Sequence, residues 1–297
     1  MKKRIAKVFI LRLVLSAGFS GCQKAESSKE DVQKKNAKKK TTVYQKSETR
    51  QLKKSHWIIE LDPGHGGNDS GTTGMDVNLQ EKDINLKIAQ YLKKELSKDS
   101  KITVYLTRDQ DTKPGLSERV SKAAKDHADL FISLHNNAKG DIVNYDHGST
   151  VIVPTGNTSK SLSDQAQLLG CYFLKQLEKT GLTNQGLLMR TSEKHQTYAN
   201  GRLKDYYAVI HQSLEQGIPG VIVEHAFVDD QGDAKQFLDN DVKISKLAKA
   251  DAKAIRNYCL GTVKQEKKER QKITLVTSPK SEDNKYSEKK FVLYEYQ

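Results

Sequence analysis

Between residues 56 and 261, short apolar runs alternate with longer segments of helical period, and this alternation leaves few folds open. "HWIIELD", "KITVYLTR", "ADLFISLHNNA", "GSTVIVP" and "GVIVEHAF" read as strands, rich in β-branched residues and bounded by polar or glycine-containing turns. Of the segments between them, "EKDINLKIAQYLKKEL" places Ile84, Ile88, Leu92 and Leu96 on one helical face. "GLSERVSKAAKDH" predicts a helix with Ser117 as cap and Leu116, Val120 and Ala124 as its buried stripe. "SKSLSDQAQLLGCYFLKQLEKTG" predicts a long helix stopped at Gly181, and "DVKISKLAKADAKAIRNYCLG" closes the series with an amphipathic helix. The expectation is a single α/β domain, 56–261, with a largely parallel sheet flanked by helices on both faces.

Charge separates this segment from its flanks. The 297 residues carry a net +13, yet residues 1–22 hold +5, residues 23–55 hold +7 and residues 262–297 hold +3. The middle is therefore slightly acidic. A nucleic-acid binder carries its basic patch on the folded domain, so this pattern argues against DNA or RNA as partner. Basic tails of this kind meet polyanionic surfaces instead.

The first 22 residues have a positive start (Lys2, Lys3, Arg4, Lys7) and an apolar run too short for a mature span, the pattern of an export signal. Their end, "FSGC", resembles a bacterial lipobox, although Arg12 interrupts the apolar run and Phe19 stands where leucine is commoner. Lipidation of Cys22 would tie the chain to a membrane. Residues 23–55 hold too few large apolar side chains to bury and read as a flexible tether. Residues 262–297 start charged and turn strand-like, as a tail or a fragment of a further module. Cys171 and Cys259 read as two buried thiols without metal-ligand spacing.

"DPGHGG", at the end of the first strand, poses the chemical question. As a phosphate loop it fails, lacking the Lys and Ser/Thr of a P-loop and the glycine spacing of a dinucleotide turn. Its glycines leave room around one imidazole, His65, and a lone histidine is more often structural than a ligand. A second histidine, His135, ends another apolar strand, and two such histidines make a pair of neutral nitrogen ligands. Glu81, at a helix start sixteen residues after His65, is either a favourable acid at a helix N-terminus or a third ligand. Glu224 lies in the apolar strand "GVIVEHAF", where a carboxylate needs either a cationic partner or a task such as proton transfer beside a metal-bound water.

Together these blocks carry a resemblance. "DPGHGG", "EKDINL", "FISLHNNA" and "VIVEHAFVDD" resemble, in order, the four blocks of the zinc-dependent N-acetylmuramoyl-L-alanine amidases of bacterial cell-wall metabolism. "YLTRDQD…LSERV" and "NQGLLMR" resemble weaker signatures of that family, and the match covers about residues 57–260. The resemblance implies a six-stranded central sheet, one zinc ion held by His65, Glu81 and His135, and Glu224 as catalytic acid/base. It implies hydrolysis of the amide between N-acetylmuramic acid and L-alanine in peptidoglycan; with the export signal, the expectation is a monomer lipid-anchored at the outer face of the cytoplasmic membrane or in the wall. His225 follows Glu224 where many members carry a small residue, and Asn137 matches a family amide that braces the ligand loop.

Two other readings stand beside this one. A peptidase of another amide lacks support, because no HExxH occurs. A wall-binding lipoprotein without catalysis would be expected to have lost one of the four positions, and all four are present. His56, His127, His147, His195 and His211 read as surface or hydrogen-bonding residues, with His225 a candidate to orient Glu224 or substrate.

Overall fold

The structure is a computed structural model that describes residues 54–74, 79–140, 146–261, 266–276 and 286–295. The expected export signal with Cys22, and the tether as far as residue 53, lie outside the described residues. In chain order the elements are β1 (Trp57–Pro63), α1 (Glu81–Leu96), β2 (Ile102–Leu106), α2 (Leu116–Lys125), β3 (Leu130–Asn137) and β4 (Ser149–Ile152). They continue with α3 (Lys160–Glu178), β5 (Asn184–Arg190), α4 (Ala208–Glu215), β6 (Gly220–Phe227) and the short α5 (Gln231–Asp233), which runs into a π-helical turn, Ala234–Leu238. Last come α6 (Asp241–Leu260), β7 (Glu266–Val276) and β8 (Tyr286–Glu295).

The described strands form one sheet in the order β2-β1-β3-β6-β4-β5-β7-β8. β1 pairs parallel with β2 and β3, β3 with β6, and β4 with β5, while β4 runs antiparallel to β6. The sheet is thus largely parallel, as the alternating pattern requires. Within 56–261 the six expected strands, β1–β6, are present, and β7 and β8 from the segment after it extend the sheet to eight among the described residues. β7 pairs parallel with β5, and β8 pairs antiparallel with β7. Without β7, strand β5 would present an unpaired ladder at the edge; the strand-like run "KITLV" fills it, with Ile273 buried.

The pleat sends alternate residues to two unlike layers. On one face Ile59, Leu61, Ile132, Leu134, Val221 and Val223 meet the apolar stripes of α1, α3 and α6 in one large cluster. Ile84, Ile88, Leu92 and Leu96 line α1's side of it as the sequence spacing requires. On the other face α2 and α4 cover a smaller apolar cluster built around Phe131, Ile152, Leu188 and Ile222. The same face carries Asp62, Ser133, His135 and Glu224 towards the carboxyl ends of the strands.

α2 departs from its expected stripe. Arg119, Val120 and Ala123 are its buried residues, and Leu116 is 56% exposed. Arg119 faces inwards because its guanidinium meets the buried carboxylate of Asp62 at 2.7 Å. The cap is also different: Gly115 is the N-cap residue, and its backbone N–H donates to Glu118 Oε2 at 2.7 Å, so Ser117 does not cap. Cys171 and Cys259 are both buried and not joined in a disulfide, as expected.

Candidate active site

β1 ends in the turn that carries His65, and that turn is held from below by two arginines. Arg108 donates to the carbonyls of Pro63 (2.9 Å), Gly64 (2.9 Å) and Lys82 (2.8 Å). Arg119 donates to Pro63 O and His65 O, each at 2.8 Å. Asp62 anchors Arg119 and also accepts from Thr107 Oγ1 at 2.6 Å and Ser133 Oγ at 2.7 Å. A buried guanidinium is costly unless paired and hydrogen-bonded, and Arg119 pairs with Asp62 and donates to the carbonyls of Pro114, Pro63 and His65. His65 itself is left-handed, at φ 61°, a conformation that histidine adopts more readily than most residues. The glycines answer to close approach: a Cβ on Gly64 would lie 2.2 Å from the His135 ring, and one on Gly71 would lie 2.5 Å from Glu81 Oε2.

Three of the expected residues converge at this turn. His65 Nε2 lies 3.2 Å from Glu81 Oε2, and His135 Nδ1 lies 3.0 Å from Glu81 Oε1. The two imidazoles stand edge to face, 4.9 Å between centroids. One donor atom from each of the three residues falls within 4.8 Å of the others, so the group could hold a metal ion. Glu81 is only 2% exposed and accepts further bonds from Thr72 N (3.0 Å), Asn136 N (3.1 Å) and Asn85 Nδ2 (3.3 Å). Burial alone would raise its pKa, but the hydrogen bonds of His135 and His65 outweigh burial and hold the carboxyl far below the usual range. For His135, burial opposes the charge, yet the bond to Glu81 and its charge prevail and push the pKa up to about 9. Asp69 Oδ1 stands 3.0 Å from His65 Nδ1, which fixes the ring and leaves Nε2 turned to Glu81. A buried carboxylate facing two nitrogen donors draws in positive charge, whether two protons or one divalent cation.

Glu224 stands directly opposite His135 in the β3–β6 register, half-buried. His65, His135 and Glu224 also line a cavity of about 560 Å³ whose other wall includes Lys113, Pro114, Leu116 and Tyr207. The adjacent His225 points to the opposite layer and is fully buried. Its Nδ1 donates to His135 O at 2.8 Å and its Nε2 to Asp251 Oδ2 at 2.8 Å. Burial works against its charge, but the Asp251 carboxylate raises its pKa.

The remaining histidines keep away from the three donors. His56 bonds Thr103 Oγ1, His147 bonds Asp146, and His211 bonds the carbonyl of Asp205. His127 and His195 are exposed at left-handed positions, His127 just past the end of α2 rather than on it. Asn137 closes its own loop by accepting from Ala138 N at 2.9 Å. Sequence reasoning passed over Asn136, Arg108, Arg119 and Asp69. The two arginines sit in the weaker signature blocks; Asn136 had no signal beyond its place after His135.

Comparisons with known proteins agree with this arrangement. The family model Amidase_3, N-acetylmuramoyl-L-alanine amidase, matches residues 59–257. The chain is 32% identical to the N-acetylmuramoyl-L-alanine amidase LytC of Bacillus subtilis over 182 residues, covering 60% of this chain and 31% of LytC. It is 29% identical to the endolysin of Bacillus phage SPP1 over 198 residues, covering 67% of this chain and 64% of the endolysin. Thus the chain spans less than two thirds of these curated relatives. Among solved structures, the catalytic domain of the amidase CwlV from Bacillus (Paenibacillus) polymyxa var. colistinus superposes with a TM-score of 0.53 at 27% identity, covering 68% of this chain and 97% of that domain. An N-acetylmuramoyl-L-alanine amidase of Clostridium difficile 630 gives 0.57 at 25% identity, with 69% and 97% covered. The family match, spanning two thirds of the sequence and all four blocks, means that this chain belongs to the N-acetylmuramoyl-L-alanine amidase family.

Proposed function

We propose that the protein is a zinc-dependent N-acetylmuramoyl-L-alanine amidase that cleaves the amide between N-acetylmuramic acid and L-alanine of the stem peptide. The observation that carries this reading is the His65–Glu81–His135 donor set with Glu224 paired to His135 on the next strand. Two imidazoles and one carboxylate suit a catalytic zinc site with an open position. Bound there, zinc would polarise the scissile carbonyl and lower the pKa of a water. Asp69 and Asn136 orient the donors from outside, Asp69 at His65 and Asn136 at Glu81. Glu224 takes the proton from the attacking water and returns it to the leaving nitrogen, a role that needs a carboxylate in the cavity and outside the donor set.

The experiment is Glu224→Gln, with bound zinc and hydrolysis of purified peptidoglycan measured on the same preparation. Zinc and fold should persist while turnover falls by at least ~10²-fold, the usual worth of general acid–base catalysis. Near-normal hydrolysis by the folded variant would place the base elsewhere.

The amino-terminal segment completes the reading. Export, lipidation at Cys22 and a tether over 23–55 would hold a monomeric catalytic domain outside the cytoplasmic membrane, within reach of the wall. A tether of 33 residues, if it behaves as a random coil, would have a root-mean-square span of roughly 30 Å. Among the described residues no helix is long and apolar enough to cross a membrane. Metabolic labelling with a fatty acid tests the anchor: label lost in Cys22→Ala supports it, and an unlabelled, membrane-bound wild type contradicts it.

A further inference from the structure

His225 and Asp251 form a fully buried ion pair in the layer beneath α1, α3 and α6, and their immediate neighbours there are apolar. Residues 221 and 223 on the same face of β6 are both valine and belong to that cluster, as do Ala248, Ala252 and Ile255 on α6 around Asp251. Packing therefore does not call for a charged pair here. Burying one in such a layer is unfavourable unless its bonds do something apolar side chains cannot.

The pair's second bond supplies that purpose. His225 Nδ1 reaches across to the backbone carbonyl of His135 at 2.8 Å. It does so where the β3–β6 register slips, from His135 opposite Glu224 to Asn137 opposite Phe227, so that β6 contains one residue more than β3 over this step. Such bulges re-aim the side chains beside them and need fixing in place. The step sits between the two strand ends that carry His135, Glu224 and the Asn136 N–H that donates to Glu81.

We propose that His225, anchored by Asp251 on α6, is a positioning residue: it fixes the His135 carbonyl at the bulge and so sets the aim of the His135 imidazole and of Asn136 N–H at Glu81. The inference rests on the amidase reading for its effect on turnover, and on the geometry alone for its effect on the backbone.

Removing His225 alone would leave Asp251 buried without its partner, so the decisive variant replaces both, His225→Val with Asp251→Leu. Three quantities are measured on the full chain: thermal midpoint without added metal, amide exchange at Asn136 and Asn137 in the same state, and zinc affinity with kcat and KM. The double variant should melt at or above the wild-type midpoint. It should nevertheless exchange Asn136 at least ~10-fold faster, as a locally loosened segment does. Zinc should bind ~10–100-fold more weakly, the usual cost of losing an outer-shell partner, and kcat should fall with KM within about two-fold. His225→Asn, whose amide stands where Nδ1 was, should recover more of the slow exchange than His225→Gln, whose amide stands where Nε2 was. Wild-type exchange at Asn136 in the double variant overturns the proposal whether or not the protein hydrolyses wall. A wild type that is inert on wall, with Asn136 exchange still dependent on His225, overturns only the amidase reading.

Discussion

The two faces of one sheet do different work. Beneath α1, α3 and α6 lies the large apolar cluster, with a few buried polar side chains such as Asn85, Asn136 and Asp251 among it; beneath α2 and α4 the apolar cluster is small and gives way to Asp62, Ser133, His135 and Glu224. The same strands feed both, because neighbours along a strand point to opposite sides: Leu61 beside Asp62, Leu134 beside His135, Val223 beside Glu224. One layer buries most of the apolar side chains, and the other holds buried polar groups as well. His225 is one link between them, a polar residue in the apolar layer bonded to the backbone carbonyl of His135.

This contrast can be broken from either side. The largest expected effect is on the polar face: His65→Ala or His135→Ala should lose bound zinc and lower hydrolysis by more than about 10²-fold, beyond the cost of an outer-shell change. Glu81→Ala should weaken zinc in the same direction. Metal content of the purified variants checks this, and full occupancy in His135→Ala would overturn the ligand assignment. On the apolar face, Leu92→Ala should destabilise by about 2–5 kcal/mol through lost burial and a cavity, while turnover per folded molecule stays near wild type. Denaturant melts with activity at low denaturant decide it.

The smallest effect concerns Glu60, buried on the polar face 3.1 Å from Lys122 Nζ. Burial outweighs the lysine's attraction and pushes its pKa up to about 7 from the usual 4.5. The folded protein therefore keeps this proton up to about pH 7, while an unfolded chain releases it from about pH 4.5. With more protons bound in the folded state, stability from this group falls as pH rises through that window and stays low above it. Glu60→Gln should remove this slope and stabilise above pH 7 by roughly 1–3 kcal/mol, Lys122 retaining Asp126 as partner. Melting midpoints at pH 5 and pH 8 test it; an equal shift at both would contradict the raised pKa.

How much of this could be read from sequence differs between the layers. The apolar face was legible, because Ile84, Ile88, Leu92 and Leu96 repeat at helical spacing and the strands are dense in β-branched residues. The meeting of His65 and His135 was legible because strand-end histidines in a largely parallel sheet are brought to one edge. β5 and α4 were not resolved as elements: "NQGLLMR" and "AVIHQSLE" are short and bounded by weak signals. The stripe of α2 was misplaced because an arginine reads as solvent-facing until its partner, Asp62, 57 residues earlier, is known. Asp251 was hidden for the same reason, an acid on a lysine-rich helix whose partner lies 26 residues away. Residues paired across long separations leave no periodic trace, and those are the residues that fix the site.

The most direct test of the account is digestion of purified peptidoglycan by the purified protein, followed by mass analysis of the released ends. Amidase cleavage predicts intact glycan strands with free lactyl carboxyls on muramic acid, and stem peptides beginning with a free L-alanine amine. Stem peptides cut internally, or glycan strands cut between sugars, would contradict it.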